Sequence, residues 1–543
     1  MKALLVGINA KYIHTSLSVR TLCMYADNPD LSWTEYNINE DAAFVCADIY
    51  NRHADAVFFS CYIWNIEFIL KTARRLKSIS PHTLIVLGGP EVSYAAEEYM
   101  QSNPFIDAII RGEGEETVKR IISTGTLNHE GVTYRDTKII ANKAREPISD
   151  ISPIPFPYTE EDIVLNKNKL IYYESSRGCP FNCSYCLSST EHSVRFRDLE
   201  LVFKELKFFI EHKVKIVKFT DRTFNANKSR TKKLLRFLID NADETTFHFE
   251  VAADLLDKET LDILSSAPKG LFQLEIGVQS TNPKTLEAID RKADTQKIAD
   301  AVKAVRSFGN IHTHLDLIAG LPYEDFESFK NSFNEVYAME PHVIQHGFLK
   351  LLHGTKIRAE EKNDIFTAEP PYEVLQTDYI SYDELLQLKA VEDIVEKYYN
   401  SNAFEKSVEY LVKLYDKPFD FFEALAGFYA ENGFDRIGIA RDRLYEILLD
   451  FASKTNADIP YFTELLLFDY LCSNKPRTPE WANRTPVGKE RFDILTEEFI
   501  TEKLPEYSEL PVKEIIKQLH FERFFNPERI LIFDKKYNKI ITV

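Results

Sequence analysis

Short apolar runs alternate with amphipathic helical patterns in two separate series, so this chain of 543 residues is bound to build two sets of parallel strands wrapped by helices, an α/β fold. The first series places strands at Ala3 to Ile8, near Trp33 to Ile38, and at Ala54 to Ser60, Thr83 to Leu87 and Phe105 to Arg111. It predicts an N-terminal doubly wound parallel sheet, whose ligand crevice lies beyond the carboxyl ends of the strands. The second series begins at Leu170 to Ser175 and continues through Lys215 to Thr220, Phe247 to Ala252, Leu271 to Gly277, His312 to Ile318 and Val343 to Leu349. It predicts a central partial (β/α)6 TIM-like barrel with its chemistry at the carboxyl-terminal face. A hairpin pattern at 131–144 and the prolines 147, 153, 155 and 157 separate the two series. Past about residue 365 the pattern turns helical, with one strand at Arg529 to Phe533. The expected division is 1–145, a proline-rich linker at 146–165, the barrel at 166–365 and a mainly helical domain at 366–543.

The loops that follow strands are where a ligand should be met. In the first series they are Asn9 to His14, Cys61 to Asn65, Gly88-Gly89-Pro90-Glu91 and Gly112-Glu113-Gly114-Glu115. With only 18 glycines in the chain, the two glycine-bearing loops read as places where backbone closely approaches a bulky ligand. No Gly-x-Gly-x-x-Gly follows the first strand, which weighs against a nicotinamide dinucleotide.

After the first barrel strand comes Ser176-Arg177-Gly178-Cys179-Pro-Phe-Asn-Cys183-Ser-Tyr185-Cys186. Three closely spaced thiolates without a fourth are the donor set of an iron-sulfur cubane with one iron left open. Zinc held by the triad and His192 is the alternative. A disulfide knot is disfavoured, because Cys23, Cys46, Cys61 and Cys472 are scattered singly and no secretory signal precedes them. The 66 basic and 84 acidic residues, a net charge of −18, disfavour nucleic acid and anionic membrane as partners. No run approaches the length of a membrane span, and a cytoplasmic protein is expected.

The triad, with Tyr185 before its last cysteine, resembles the signature of the radical S-adenosylmethionine (radical SAM) enzymes. Later segments are similar to that family's further motifs: Phe219-x-Asp221-x-x-Phe224, Glu275-x-Gly277-x-Gln279-Ser280, Asp316-Leu-Ile-Ala-Gly320-Leu321-Pro322 and Leu349-Lys-Leu-Leu-His-Gly354-Thr355. With the doubly wound domain ahead of it, the chain over about residues 1–360 resembles the radical SAM proteins that carry a cobalamin-binding domain. The remainder resembles a C-terminal domain of unknown function appended to one branch of them.

The resemblance implies three cofactors: a 4Fe-4S cluster on Cys179, Cys183 and Cys186, S-adenosylmethionine (SAM), and cobalamin. One electron delivered through the cluster would cleave SAM to methionine and a 5′-deoxyadenosyl radical, and cobalamin would carry the methyl group. Tyr185 is implied near the adenine, Gln279 and Ser280 near the ribose, and Gly320 with Pro322 under the adenine; Glu275 and Asp316 could equally brace neighbouring strands. Gly88 and Gly89 would line the path of the nucleotide tail, and Tyr62 and Trp64 the underside of the corrin. Many cobalamin domains place a cobalt-binding histidine in Asp-x-His-x-x-Gly. His14 keeps that position here, but Tyr12 and Leu17 replace the flanking pair, so the lower ligand of cobalt is His14 or none. The implied reaction is methylation of an unactivated carbon in a small-molecule or peptide substrate, with a reductant such as flavodoxin or ferredoxin, and with no nucleic acid or membrane involved. Three other readings stand beside it: a non-methylating cyclase or rearrangement enzyme, a tRNA methylthiotransferase with a second cluster on Cys23, Cys46 and Cys61, and a non-enzymatic sensor.

Overall fold

The computed structural model describes residues 1–190, 193–360, 363–473, 478–484 and 487–543. His192, the fourth ligand of the zinc alternative, lies outside the described residues. The first sheet contains β1 (Ala3–Asn9), β2 (Leu31–Asn37), β3 (Ala56–Ser60), β4 (Leu84–Gly88), β5 (Ala108–Ile110), β6 (Val132–Arg135) and β7 (Ile139–Ala141) in the order β2-β1-β3-β4-β5-β6-β7. β1 to β5 are parallel, and β6 and β7 add an antiparallel hairpin at one edge.

Helices cover both faces, so β1 reads as a continuous apolar run rather than an alternation. Leu4, Val6 and Ile8 pack on one face with Cys46 and Cys61, while Ala3 and Leu5 pack on the other with Val19 and Cys23. The sheet therefore separates Cys23 from Cys46 and Cys61, and these three thiols cannot share a second cluster. Strand order reverses between β1 and β3, which puts the crevice of a doubly wound sheet between the loops that follow those two strands.

The second sheet runs in sequence order through β8 (Ile171–Tyr173), β9 (Ile216–Phe219), β10 (Thr246–Glu250), β11 (Phe272–Gln279), β12 (His312–Ala319) and β13 (Val343–Phe348). These six strands are the partial barrel. In β11, Phe272, Leu274, Ile276 and Val278 are buried under the surrounding helices, whereas Gln273, Glu275 and Gly277 face the lumen and are only half-buried. β12 repeats the alternation with His312, His314 and Asp316.

Compactness divides the chain into residues 1–341 with 345–385, and residues 342–344 with 386–543. The second unit contains the helices Glu405–Val412, Pro418–Glu431, Arg441–Ala452 and Ile459–Ser473, packed through Phe419, Phe421 and Phe422, none of which is exposed. It ends in an antiparallel meander of β14 (Leu519–Phe525), β15 (Glu528–Asp534) and β16 (Lys539–Thr542), where the sequence pattern had shown a single strand. Among the described residues no helix is long and apolar enough to cross a membrane.

Candidate cofactor site

The triad loop leaves the carboxyl end of β8, and it is anchored before its first cysteine. Asp221, wholly buried after β9, accepts from the Ser175 backbone N–H and hydroxyl and from the Ser176 hydroxyl, each at 2.7 Å. Arg177 is gripped by Glu174, Glu113 and Glu115 at 2.8 to 3.1 Å. Glu113 also pairs with Arg195 at 2.8 Å. Gly178 has φ +95°, and a Cβ there would lie 2.2 Å from the Ser193 carbonyl oxygen. Both observations demand glycine. Gly178→Ala should therefore prevent assembly of the cluster, read as loss of bound iron and sulfide after anaerobic reconstitution; a normal iron content would show that the loop tolerates the shift.

Cys179 and Cys183 are buried and Cys186 is partly exposed, and none is in a disulfide. The Cys179 sulfur lies 3.5 Å from the Thr223 hydroxyl, and the Arg291 guanidinium donates to the Cys183 sulfur at 3.6 Å and to the Gly277 carbonyl. Burial pushes the Cys183 thiol up, and Arg291 opposes it. Three adjacent thiols with a cation and a hydroxyl beside them suit an anionic cluster. Among the described residues no three His, Cys, Asp or Glu side chains converge to hold a single metal ion. A cubane needs no such convergence, because each thiolate takes its own corner.

The expected SAM contacts surround the triad with different degrees of commitment. Tyr185 places its hydroxyl beside Cys183 and Arg291 rather than standing free, and burial pushes the phenol well up. Gln279 sits at φ +71°, just past an irregularity in the β11–β12 ladder between Gly277 and Gln279. That strained backbone is typical of functional positions. Ser280 is wholly buried and spends its hydroxyl on Glu324 at 2.8 Å, which makes it a brace of the turn. Gly320 has φ +85°, and the atom its missing Cβ would meet is Val374 Cγ1 at 2.8 Å; Pro322 follows, half-buried.

Glu324 also accepts from the Ser332 hydroxyl at 3.0 Å, and burial pushes its carboxyl up to about 7 against these hydrogen bonds. Unfolded, the group releases its proton near 4.5, so the folded state holds an extra proton between the two values. Stability therefore falls as pH rises through that window, by about 3 kcal/mol. Glu324→Gln keeps an acceptor for both hydroxyls and removes the titration. Its midpoint in urea should gain on that of the unsubstituted protein between pH 5 and pH 8; a constant difference would place the titration elsewhere.

The lumen below is polar. Glu275 accepts from Lys218 at 2.9 Å and pairs with His248 Nε2 at 2.8 Å. Burial raises this carboxyl, but the two partners outweigh it and hold it down at about 2. Glu275 thus braces three strands, the simpler of the two readings of its role. Asp316 differs: one carboxyl oxygen is buried without a partner, and burial together with Glu275 and Glu250 pushes the group well up. Burial likewise raises Glu250, against the pull of Arg222. Arg291 has a buried Nε without a partner among the described residues. Sequence reasoning gave Arg291 no role, for it lies in no motif. Glu250 was equally invisible, although the alternation along β10 to β12 shows which side chains enter the lumen.

At the switch point Asn65 binds the ends of both central strands, donating to the Ile8 carbonyl at 2.8 Å and the Ser60 carbonyl at 3.0 Å while accepting from Tyr62 N at 2.8 Å. Tyr62 and Trp64 stack at 4.4 Å between ring centroids, and Trp64 is 48% exposed, a flat apolar surface at the crevice. His14 Nδ1 pairs with the Tyr172 hydroxyl of β8 at 2.7 Å, leaving Nε2 as the nitrogen that can meet a ligand. The carboxylate missing from position 12 thus has a phenol in its place on the imidazole.

Both glycine-bearing loops also serve contacts within the protein. A Cβ at Gly89 would lie 2.5 Å from the Cys61 carbonyl oxygen, so this glycine lets two protein turns meet, with φ +107°. Gly112 has open space, and its loop contributes Glu113 and Glu115 to Arg177 and Arg195 instead of a ligand cradle.

Residues 3–122 match the family model of the B12 binding domain, 173–336 that of the radical SAM superfamily, and 361–539 that of a protein family of unknown function (DUF4080). The three matches together give the chain the domain composition of radical SAM proteins that carry an N-terminal cobalamin-binding domain and this C-terminal domain of unknown function. The cofactors of these domains are cobalamin, SAM and a 4Fe-4S cluster. An uncharacterized methyltransferase of Pyrococcus horikoshii is 29% identical over 269 residues, 47% of this chain and 58% of the relative. The cobalamin-dependent radical SAM methyltransferase TokK of Streptomyces tokunonensis is 26% identical over 363 residues, 62% of this chain and 53% of the relative. The chain spans about half the length of these curated relatives. The radical SAM methyltransferase TsrM of Kitasatospora setae, solved with cobalamin and a 4Fe-4S cluster bound, shares the fold at a TM-score of 0.56 and 16% identity, over 66% of this chain and 77% of that one.

Proposed function

We propose that this chain is a cobalamin-dependent radical SAM enzyme that methylates an unactivated carbon of a small-molecule or peptide substrate. The observation that carries the SAM half is the charge arrangement beside the triad: a guanidinium on Cys183 whose buried Nε has no partner among the described residues, and two half-buried carboxyls, Glu250 and Asp316, with Asp316 Oδ1 buried and likewise unpartnered. SAM carries a carboxylate, an ammonium and a sulfonium, and a ligand of that charge pattern satisfies groups that are costly to leave alone. When bound, the cluster supplies the electron that cleaves SAM, and cobalamin carries the methyl group.

The chain's own part is placement. Cys179, Cys183 and Cys186 hold the cluster, Arg291 orients the SAM carboxylate, and Gln279 on its strained backbone reaches the ribose. Tyr62 and Trp64 support the corrin, with His14 oriented by Tyr172. An electron carrier such as flavodoxin or ferredoxin delivers the electron, and the four cysteines outside the triad, none in a disulfide, suit the reducing cytoplasm.

The test is an anaerobic incubation of reconstituted protein with reductant, methyl-labelled SAM and candidate substrate extracts. Label is expected on a small-molecule or peptide product together with 5′-deoxyadenosine. Label on cobalamin but on no product, whatever the extract, would overturn the methylation reading in favour of a cyclisation or rearrangement.

A further inference from the structure

Between the two cofactor sites lies a buried side-chain contact that the reaction does not use. Glu91, two residues after Gly89, is 4% exposed, and its carboxyl oxygen accepts from the Tyr99 hydroxyl at 2.7 Å and the Tyr372 hydroxyl at 2.6 Å. Tyr99 belongs to the same doubly wound domain as Glu91, whereas Tyr372 comes from the segment that follows the last barrel strand, 281 residues along the chain. Two residues beyond Tyr372, Val374 fills the space at Gly320 that a Cβ would occupy.

The intervening backbone is fixed to the barrel. Leu351 N donates to the Tyr372 carbonyl and Val374 N to the Leu349 carbonyl, both at 2.9 Å. Beside it the Tyr94 ring occupies the position a Cβ of Gly354 would need, and His353 packs edgewise on the Tyr372 ring. Residues 372–374 fall within the match to the family of unknown function, yet they are compact with the cofactor-binding unit rather than with residues 386–543.

We infer that Tyr372 to Val374 form a strut that couples cobalamin binding at the Gly88-Gly89 turn to SAM binding at the Gly320 turn. The inference rests on the placement that the family resemblance implies, with the nucleotide tail of cobalamin along Gly88 and Gly89 and the adenine of SAM over Gly320 and Pro322. Releasing the Tyr372 phenol strips one of two donors from a buried carboxyl and breaks the contact between the two hydroxyls, so stilling the Gly89 turn also stills Tyr372, and through it Val374. A ligand that orders one end thereby removes part of the ordering cost at the other, which is positive cooperativity without a large movement. Tyr372 is a positioning residue in this scheme.

The experiment is anaerobic equilibrium dialysis of labelled SAM against the reconstituted full chain, with and without saturating hydroxocobalamin. Cobalamin should tighten SAM binding by about fivefold or more. In Tyr372→Phe, which keeps the ring but loses the hydrogen bond, cobalamin should leave SAM affinity unchanged. Val374→Ala, which loosens the other end, should lose the effect as well. Tyr99→Phe removes a hydroxyl that lies 3.0 Å from that of Tyr372 but leaves the direct Glu91–Tyr372 hydrogen bond in place, and should retain the effect. Equal coupling in Tyr372→Phe and the unsubstituted protein, or no coupling when the latter binds both cofactors, overturns the strut. Failure of the unsubstituted protein to bind one of the cofactors overturns the cofactor placement itself.

Discussion

Replacing Cys179, Cys183 and Cys186 together with alanine should abolish iron uptake and 5′-deoxyadenosine formation while cobalamin uptake stays within about twofold of the unsubstituted protein. The two halves of this result follow from separate pieces of structure. All three thiols lie on one loop whose conformation is set by Asp221 and the carboxylates around Arg177, so the loop keeps its backbone anchors without the sulfurs. Methyl groups in place of thiolates leave nothing to bind iron. The crevice at the β1/β3 switch point is closed by Asn65, Tyr62 and Trp64, none of which touches the cysteines. Iron and sulfide analysis, chromatography of the nucleoside product and the visible spectrum of bound cobalamin check the three quantities. An unsubstituted protein that takes up zinc and no iron after anaerobic reconstitution would overturn the cluster assignment.

The features legible in the sequence were those whose physics is local. A parallel strand buried on both faces must be a run of apolar residues, so Ala3 to Ile8 announced β1 directly. The triad was equally plain, because its three ligands are contiguous. What failed to show was chemistry that depends on a distant partner. Gly112-Glu113-Gly114-Glu115 has the composition of a ligand loop, and only the fold reveals that its carboxylates are spent on Arg177, more than 60 residues away. The conformation of Gly89 is also demanded by its approach to Cys61, a contact between two turns that no local pattern announces. Ser280 donates its hydroxyl to Glu324, 44 residues further on, a bond that no local pattern announces. Arg291 lies in a loop without any motif, and its importance depends on Cys183, 108 residues earlier.

Arg291→Ala should lower the rate of SAM cleavage by about a hundredfold or more while the cluster is retained, the second large effect expected here. The guanidinium stands at the junction of three groups: the Cys183 sulfur, the Gly277 carbonyl at the irregularity that presents Gln279, and the Tyr185 hydroxyl. Its buried Nε has no partner among the described residues, so one edge of the planar fork is left for an anion, and the SAM carboxylate would fill it. Arg291→Lys separates charge from geometry. Lysine supplies the positive charge as a single point, so it can support the thiolate but cannot span the Gly277 carbonyl and a carboxylate together. The lysine variant should therefore keep its iron and show a raised KM for SAM with a smaller loss in kcat, whereas alanine should lose both. If alanine leaves SAM cleavage unchanged, the guanidinium only braces the Gly277 bulge, and the SAM carboxylate must be held by other groups near the open iron.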